Sequence, residues 1–413
     1  MPAAFRPSDV ITARFELSAP MFSGQEGDKG PAEIRPTEIK AALRFWWRAL
    51  AWWRGVRTPQ ALKEQEDALF GAAADEGRNG AGGRGQGAFL LRVRGSLSRG
   101  DFIATGTPLQ DIAAGQNIRG DMKGFRHVAY GLLSQKGEPI TIKPALTHGV
   151  CFEVDIIPRK GLDDDKKREL VRALFAFGLL GGIGSRMRRG FGSVALTEIM
   201  GQDYFNVPAT KSEYISVIRE IIGVAQTSEV PQWSAFFADE NGHGAISGLM
   251  QRTFLSPINL INFFGQRLQA YRTHSVPKEL QGNRLIVRRA AFGLPQKMDE
   301  AINISVRDRN NRKNQGRRAS PIMLHIHKLY DENDDIYRYY GVISVIPSLF
   351  LPNGLYVSLF SEDDWIRGYN FQSNYIPIND LRGFLGIAVS REKDYQIKIE
   401  SGDLILNGGP RHV

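Results

Sequence analysis

Cysteine is nearly missing from this chain, with Cys151 the only one among 413 residues. A single thiol excludes an intrachain disulfide and any zinc site built on cysteine pairs. Its place between Val150 and Phe152, in a β-prone run, predicts a small buried hydrophobe rather than a nucleophile. No apolar run approaches the length of a membrane span, and Met1 to Leu17 has no uninterrupted apolar core of the signal-peptide type. The expected location is therefore cytoplasmic, with no membrane partner. No Gly-Lys-Ser or Gly-Lys-Thr occurs to form a P-loop, and neither an HD dipeptide nor a GGDD polymerase signature is present.

What the chain does have is positive charge. Fifty-three Lys and Arg against 44 Asp and Glu leave a net +9, which favours a polyanionic partner without naming one. A hydrophobic content of 42% is enough for packed cores, and the length predicts two domains of roughly 200 residues each.

The most distinctive stretch runs from Gly181 to Val194, Gly-Gly-Ile-Gly-Ser-Arg-Met-Arg-Arg-Gly-Phe-Gly-Ser-Val. Upstream, an acidic start at Asp163, Asp164 and Asp165 and apolar residues at helical spacing predict a helix. Downstream, Phe191, Val194, Leu196 and Ile199 predict a strand. The order helix, glycine loop, strand is the reverse of a dinucleotide site, so Gly190-x-Gly192-x-x-Ala195 matches only the letters of that fingerprint. Two readings remain. Glycines could let the main chain approach a ligand while Arg186, Arg188 and Arg189 grip phosphate oxygens; or the stretch is a helix cap followed by a solvated basic turn.

A second stretch begins at Thr37, whose residue type predicts an N-cap, with Ile39, Leu43, Trp46, Leu50 and Trp53 following at helical spacing. Lys40, Arg44 and Arg48 lie four apart on the same helix. Phe45, Trp46, Trp47, Trp52 and Trp53 are too many rings for one buried stripe, which predicts one or two exposed rings able to stack a single-stranded base beside a cation.

The loop at Gly181 to Val194 resembles the glycine-rich loop of the RAMP superfamily, RNA-binding proteins of CRISPR systems. Glu33 to Arg48 and Arg317-Arg-Ala-Ser-Pro321 are similar to segments of the first Cmr subunit of type III-B effector complexes. The resemblance implies an α+β fold of two tandem ferredoxin-like (RRM-like) domains with insertions: 1–200, with the glycine-rich loop 181–192, and 201–413, with helical insertions. The order strand, helix, strands, helix, loop, strand in the first half agrees with that fold.

The same resemblance implies a non-catalytic RNA-binding subunit at the crRNA 3′ end that helps capture target RNA in antiviral defence. Its partners would be crRNA, target single-stranded RNA and other Cmr subunits, with no cofactor, metal or small-molecule substrate. The expected RNA contacts are Arg35, Lys40, Arg44, Trp47 and Arg48, then Gly182, Gly184, Arg186, Arg188, Arg189 and Gly190, then Arg317 and Arg318. The alternative is a metal-independent endoribonuclease of the same superfamily that processes crRNA, with His127 as base on a ribose 2′-hydroxyl. A histidine near Tyr130 can equally be a hydrogen-bonded structural group.

The remaining features are less specific. Gly77 to Gly87 predicts a flexible loop, and Arg284 to Arg289 carries three arginines. From Arg307 to Arg318, six cations face one acid, Asp308, in an exposed loop that is either solvated or in contact with RNA. His325-x-His327 puts two imidazoles on one strand face, but no third ligand of matching spacing supports a metal. Helices at Glu213 to Val224, Leu260 to Leu268 and Asn379 to Val389, with strands at Ile322 to Leu329, Tyr337 to Ile346 and Tyr395 to Ile399, suggest a second ferredoxin-like unit.

Overall fold

The structure is a computed structural model that describes residues 9–22, 31–72, 86–104, 106–115, 121–134, 140, 142–223, 225–227, 229–239, 242, 244–274, 291–293, 296–297, 302–308, 315–316, 318–349, 351, 355–361, 364–369, 378–387 and 396–407. The basic run Arg284 to Arg289, most of the Gly77 to Gly87 stretch, Arg317 and Tyr395 lie outside them.

In the first half, β1 (Ile11–Leu17) leads to α1 (Pro36–Ala51) and α2 (Pro59–Phe70). Then come β2 (Phe89–Arg94), the short α3 (Lys123–Val128), β3 (Cys151–Pro158), α4 (Asp164–Leu180) and β4 (Val194–Met200). Local chemistry fixes the helix starts. Pro36 opens α1 at a position where a missing N–H costs nothing, and the Asp163 side chain caps α4 by accepting from the Lys166 amide at 2.9 Å. In the second half, α5 (Lys211–Ile221), closed by a Thr210/Glu213 capping box, precedes β5 (Ile246–Phe254) and α6 (Pro257–His274). The chain then runs through β6 (Ile322–Asp331), β7 (Ile336–Val345), α7 (Ile378–Phe384) and β8 (Leu404–Asn407).

The first sheet is antiparallel with order β2-β3-β1-β4, and the second is antiparallel with order β6-β7-β5-β8. Both halves therefore place their second, third, first and fourth strands side by side, with the strand–helix–strand–strand–helix–strand connectivity of a split βαβ unit. The second unit is less legible in sequence. Its first strand, β5, is buried on both faces from Ile246 to Met250 and shows no alternation. Its closing strand is Leu404–Asn407, not the expected Tyr395 to Ile399.

Alternation in β1 turns Ile11, Ala13, Phe15 and Leu17 inward, where Phe15 meets Phe177 of α4 with ring centroids 5.2 Å apart. The core does not stop at the unit boundary. One continuous apolar cluster joins α1 and α4 to Met323 and Val342, and another joins Phe22 and Phe125 to Ile261 and Leu324.

The outward face of the first sheet is a lattice of paired charges. Arg14 bridges Glu153 at 2.9 Å and Glu198 at 3.0 Å; Arg94 reaches Glu153 at 2.7 Å and Asp155 at 2.8 Å; Arg92 reaches Asp155 at 2.7 Å. RRM domains stack bases on aromatic rings of this face, but here Thr12, Arg14, Glu16, Arg92, Arg94, Glu153 and Asp155 occupy it. Cys151 also lies on this face and is exposed, contrary to the buried position expected of it. Its β-run is right, but β3 alternation turns it away from Phe152 and the core. Partial burial and Glu16 push its thiol up, away from thiolate chemistry.

Asp155 anchors this lattice. Hydrogen bonds from Arg94, then Arg92 and Thr12, hold its carboxyl well below the usual carboxylate range against the opposing effect of burial. A depressed carboxyl stabilises the fold at neutral pH and loses that contribution as pH falls below about 4 toward the folded-state value. Asp155→Asn should cost about 1–3 kcal/mol at neutral pH, with the deficit shrinking in acid. Urea denaturation of both proteins at neutral and acid pH checks this; a deficit independent of pH would refute it.

Candidate nucleic-acid interface

The glycine stretch joins α4 to β4 and lies against the edge of the second sheet. Gly184, Gly190 and Gly192 have φ of +79°, +89° and +62°, and Arg186 sits in the same left-handed region at +61°. A β-carbon would meet the Phe22 carbonyl oxygen at 2.4 Å from Gly184, the Ile183 oxygen at 2.0 Å from Gly192, the Gly192 oxygen at 2.7 Å from Gly182 and the Leu324 side chain at 2.9 Å from Gly190. These glycines were expected to let a ligand come close. In the structure it is the protein's own chain that comes close.

Hydrogen bonds fix the loop on both sides. Gly192 donates to the Pro20 carbonyl at 2.8 Å and Ser185 to that of Phe22 at 2.9 Å. From the second unit, the Leu324 amide donates to the Arg188 carbonyl at 3.1 Å, and the Ile326 amide to Ser193 Oγ at 3.1 Å. Ser193 Oγ in turn donates to the Gly190 carbonyl at 2.9 Å. His325 Nδ1 lies 2.7 Å from the Gly181 carbonyl oxygen, and its Nε2 is 3.1 Å from His327 Nδ1. The pair ties the loop to β6, with three of its four ring nitrogens engaged in hydrogen bonds.

This seating sorts the arginines. Arg186 is exposed, with Nη2 donating to the Tyr130 carbonyl at 2.5 Å. Arg188 is half-buried, donates to the Ser320 carbonyl at 2.5 Å and lies 5.6 Å from the Phe45 ring centroid. Arg189 Nη1 is buried without a hydrogen-bond partner. Burial, then Arg272, Arg186 and Arg188, push its guanidinium down to about 9, so it stays charged at neutral pH. Burial and Arg188 push Arg318 down to about 10. His127 of α3 faces the same group: burial, Arg272 and Arg189 lower it to about 4, which leaves it neutral. Everything that perturbs Arg189, Arg318 and His127 is burial or another cation. An anion bound here would relieve that repulsion.

The structure thus brings together Arg186, Arg188, Arg189 and Arg318. Arg272 joins them from the end of α6, a position that carries no signal in sequence because only the tertiary fold delivers it. The α1 cations are arranged differently. Arg35 pairs with Glu38 at 2.5 Å, while Arg44 and Arg48 both reach Glu66 of α2, at 3.6 and 3.4 Å. Arg44 also donates to the Gly71 carbonyl at 2.5 Å. Lys40 has no such carboxylate among the described residues; it lines a groove of about 450 Å³ with Thr37, Arg44, Phe70 and Gln86, and burial lowers its pKa.

Trp47 requires a correction. It is 1% exposed and its indole N–H donates to Glu169 at 3.0 Å, so it is core rather than a stacking platform. The exposed ring of the helix region is Trp53, at 41%, with the Arg172 guanidinium 4.4 Å from its centroid. Trp47 and Trp53 are six residues apart, and only packing against α4 decides which of them faces inward.

Because Arg189 is a shielded charge with no anionic partner among the groups that perturb it, replacing it with an apolar chain of similar length should help the fold. Arg189→Met is expected to raise the free energy of unfolding by about 0.5–2 kcal/mol, read by chemical denaturation. A loss of stability would show that the guanidinium is a structural tie.

The RAMP superfamily model matches residues 14–195. No curated protein sequence matches the chain. Among solved structures it is similar to Cmr1 from Pyrococcus furiosus in its apo form, at 16% identity and a TM-score of 0.50, over 82% of this chain and 88% of that one. It is also similar to a chain of the type III-B Cmr-beta complex bound to cognate target RNA, at 14% identity and a TM-score of 0.46, over 82% and 96% of the two chains. The likeness to Cmr1 is one of fold. The match to the RAMP superfamily model runs from β1 to the start of β4, glycine loop included, within a mixed helix and antiparallel-sheet molecule that has the Cmr1 fold.

Proposed function

We propose that the chain is a non-catalytic RNA-binding subunit of a type III-B CRISPR effector complex. It would act in the cytoplasm at the crRNA 3′ end, where it helps other Cmr subunits capture target RNA. The observation that carries this reading is the arginine group on the glycine loop, with Arg189 shielded, charged and surrounded by further cations. A phosphate oxygen would supply the acceptor that Arg189 Nη1 lacks, because guanidinium forks pair with phosphate and each pair displaces counterions. Arg186, exposed at the rim, would meet the strand first. The RAMP match and the fold shared with Cmr1 support the setting. Contacts of this kind follow the phosphate path and predict little base preference.

One observation favours a second reading. His127 is a neutral imidazole beside Arg189 and Arg272, the arrangement a ribonuclease would need for a base next to cations that stabilise a phosphorane. The two readings differ in product. The purified chain, mixed with end-labelled single-stranded RNA over a range of salt, is run on native and denaturing gels. Binding with intact RNA, and a log-log salt slope made shallower by about 1.4 in the Arg186→Ala/Arg189→Ala variant, at about 0.7 per lost phosphate contact, is the expected outcome. Metal-independent cleavage abolished by His127→Ala would move the chain to the nuclease class, and a slope unchanged by the double variant would sink the loop as the phosphate site.

A further inference from the structure

A second group of cations lies elsewhere on α6. Arg267 and Arg272 are five residues apart, so they are turned about 140° around the helix and displaced about 7.5 Å along it. Arg272 faces the glycine-loop group, whereas Arg267 lines a cavity of about 410 Å³ with Gln251, Arg252, Phe263, Gln396 and Lys398. No carboxylate among the described residues lines this cavity. Among the described residues, none of Arg252, Arg267 and Lys398 has an acidic partner within ion-pair distance.

The walls are fixed rather than fluid. The Arg252 guanidinium lies 5.2 Å from the Phe254 centroid and 5.1 Å from that of Phe263, and the Arg267 guanidinium lies 5.0 Å from Phe263. Rings that hold two forks in place reduce the entropy lost when those forks bind. The Gln251 amide N–H donates to the Lys398 carbonyl at 2.8 Å, joining β5 to the segment ahead of β8. The Gln396 side chain, 9% exposed, donates to the Gly383 carbonyl at 2.8 Å. Glu400, on the segment that carries Lys398, accepts from the Gln251 side chain at 2.5 Å.

We propose that this cavity binds the phosphate of a nucleotide, at a site separate from the glycine loop. Two guanidinium forks and an ammonium suit an anion offering three or more acceptor oxygens, as phosphate does and a carboxylate does not. The volume falls in the range of about 300–1,000 Å³ that holds whole small ligands, which leaves room for the sugar or base that the phosphate carries. The nucleotide is either free or the end of an RNA strand; the chemistry of recognition is the same, and the inference does not depend on the role of the glycine loop.

The test uses the full chain and three variants: Arg252→Ala/Arg267→Ala, Lys398→Glu, and Arg186→Ala/Arg189→Ala. Adenosine monophosphate, adenosine triphosphate and inorganic phosphate are titrated by calorimetry, and a short fluorescent RNA by anisotropy. A free-nucleotide site gives affinity rising with phosphate count, weakened about ten-fold or more by the first two variants and unchanged by the loop variant. An RNA-end site gives no mononucleotide heat but RNA affinity weakened by the pocket variants, additively with the loop variant. Lys398→Glu, at an exposed position, keeps the test open if the double variant does not fold. Affinities for every probe that neither pocket variant alters would overturn the proposal.

Discussion

The arrangement depends on seating the glycine loop against the edge of β6, and that seating rests on a chain of hydrogen bonds whose direction can be deduced. A carbonyl oxygen only accepts, so the Gly181 carbonyl requires the proton on His325 Nδ1. His325 Nε2 must then accept, and His327 Nδ1 donates to it. Burial pushes His325 down to about 4 and His327 well below its ordinary range, so both rings stay neutral and the direction holds at physiological pH. Ser193 extends the same logic, accepting from the Ile326 amide while donating to the Gly190 carbonyl. Two histidines and a serine thus join the end of a helix, a tight loop and the next unit's edge strand.

That dependence explains why the loop cannot be understood from its own half of the chain. The family match ends at residue 195, yet the partners that hold the loop are Leu324, His325 and Ile326. Tyr214 of α5 adds to the same joint, its hydroxyl donating to the Leu179 carbonyl and its ring 4.6 Å from that of His327. Apolar clusters that cross between the units fix the remaining freedom. A loop carrying three arginines would otherwise spread them apart by mutual repulsion. Here the backbone is restrained on both flanks, and Arg189 keeps a position that its electrostatics disfavour.

Local signals were legible in the sequence and tertiary ones were not. The α4 helix, the loop and β4 follow from an acidic cap, helical spacing and a β-prone run, all within thirty-odd residues, and the alternation of β1 is equally plain. The first strand of the second unit was missed because burial on both faces erases the period that identifies a strand. The glycines were read from sequence as places where a ligand could approach the main chain. What fills the space beside each glycine is another part of the chain, which no local pattern reveals. Trp47 and Trp53 show the same limit: both belong to one aromatic run, and contact with Glu169 and the rest of α4 decides that the first is core.

Net charge was the least specific signal, and the structure gives it an address. Arg14, Arg92 and Arg94 are neutralised across the first sheet by Glu153, Asp155 and Glu198, and Arg35, Arg44 and Arg48 by Glu38 and Glu66. These pairs offset much of the positive charge locally, and partly exposed ion pairs of this kind contribute little net attraction for a polyanion. The glycine-loop arginines and the α6 cavity differ in kind: cations converge there, braced by main-chain carbonyls in one case and by phenylalanine rings in the other. A positive excess does little while it is distributed among ion pairs. Gathered cations are what the two proposed sites share, and α6 carries one of them, Arg272 or Arg267, to each.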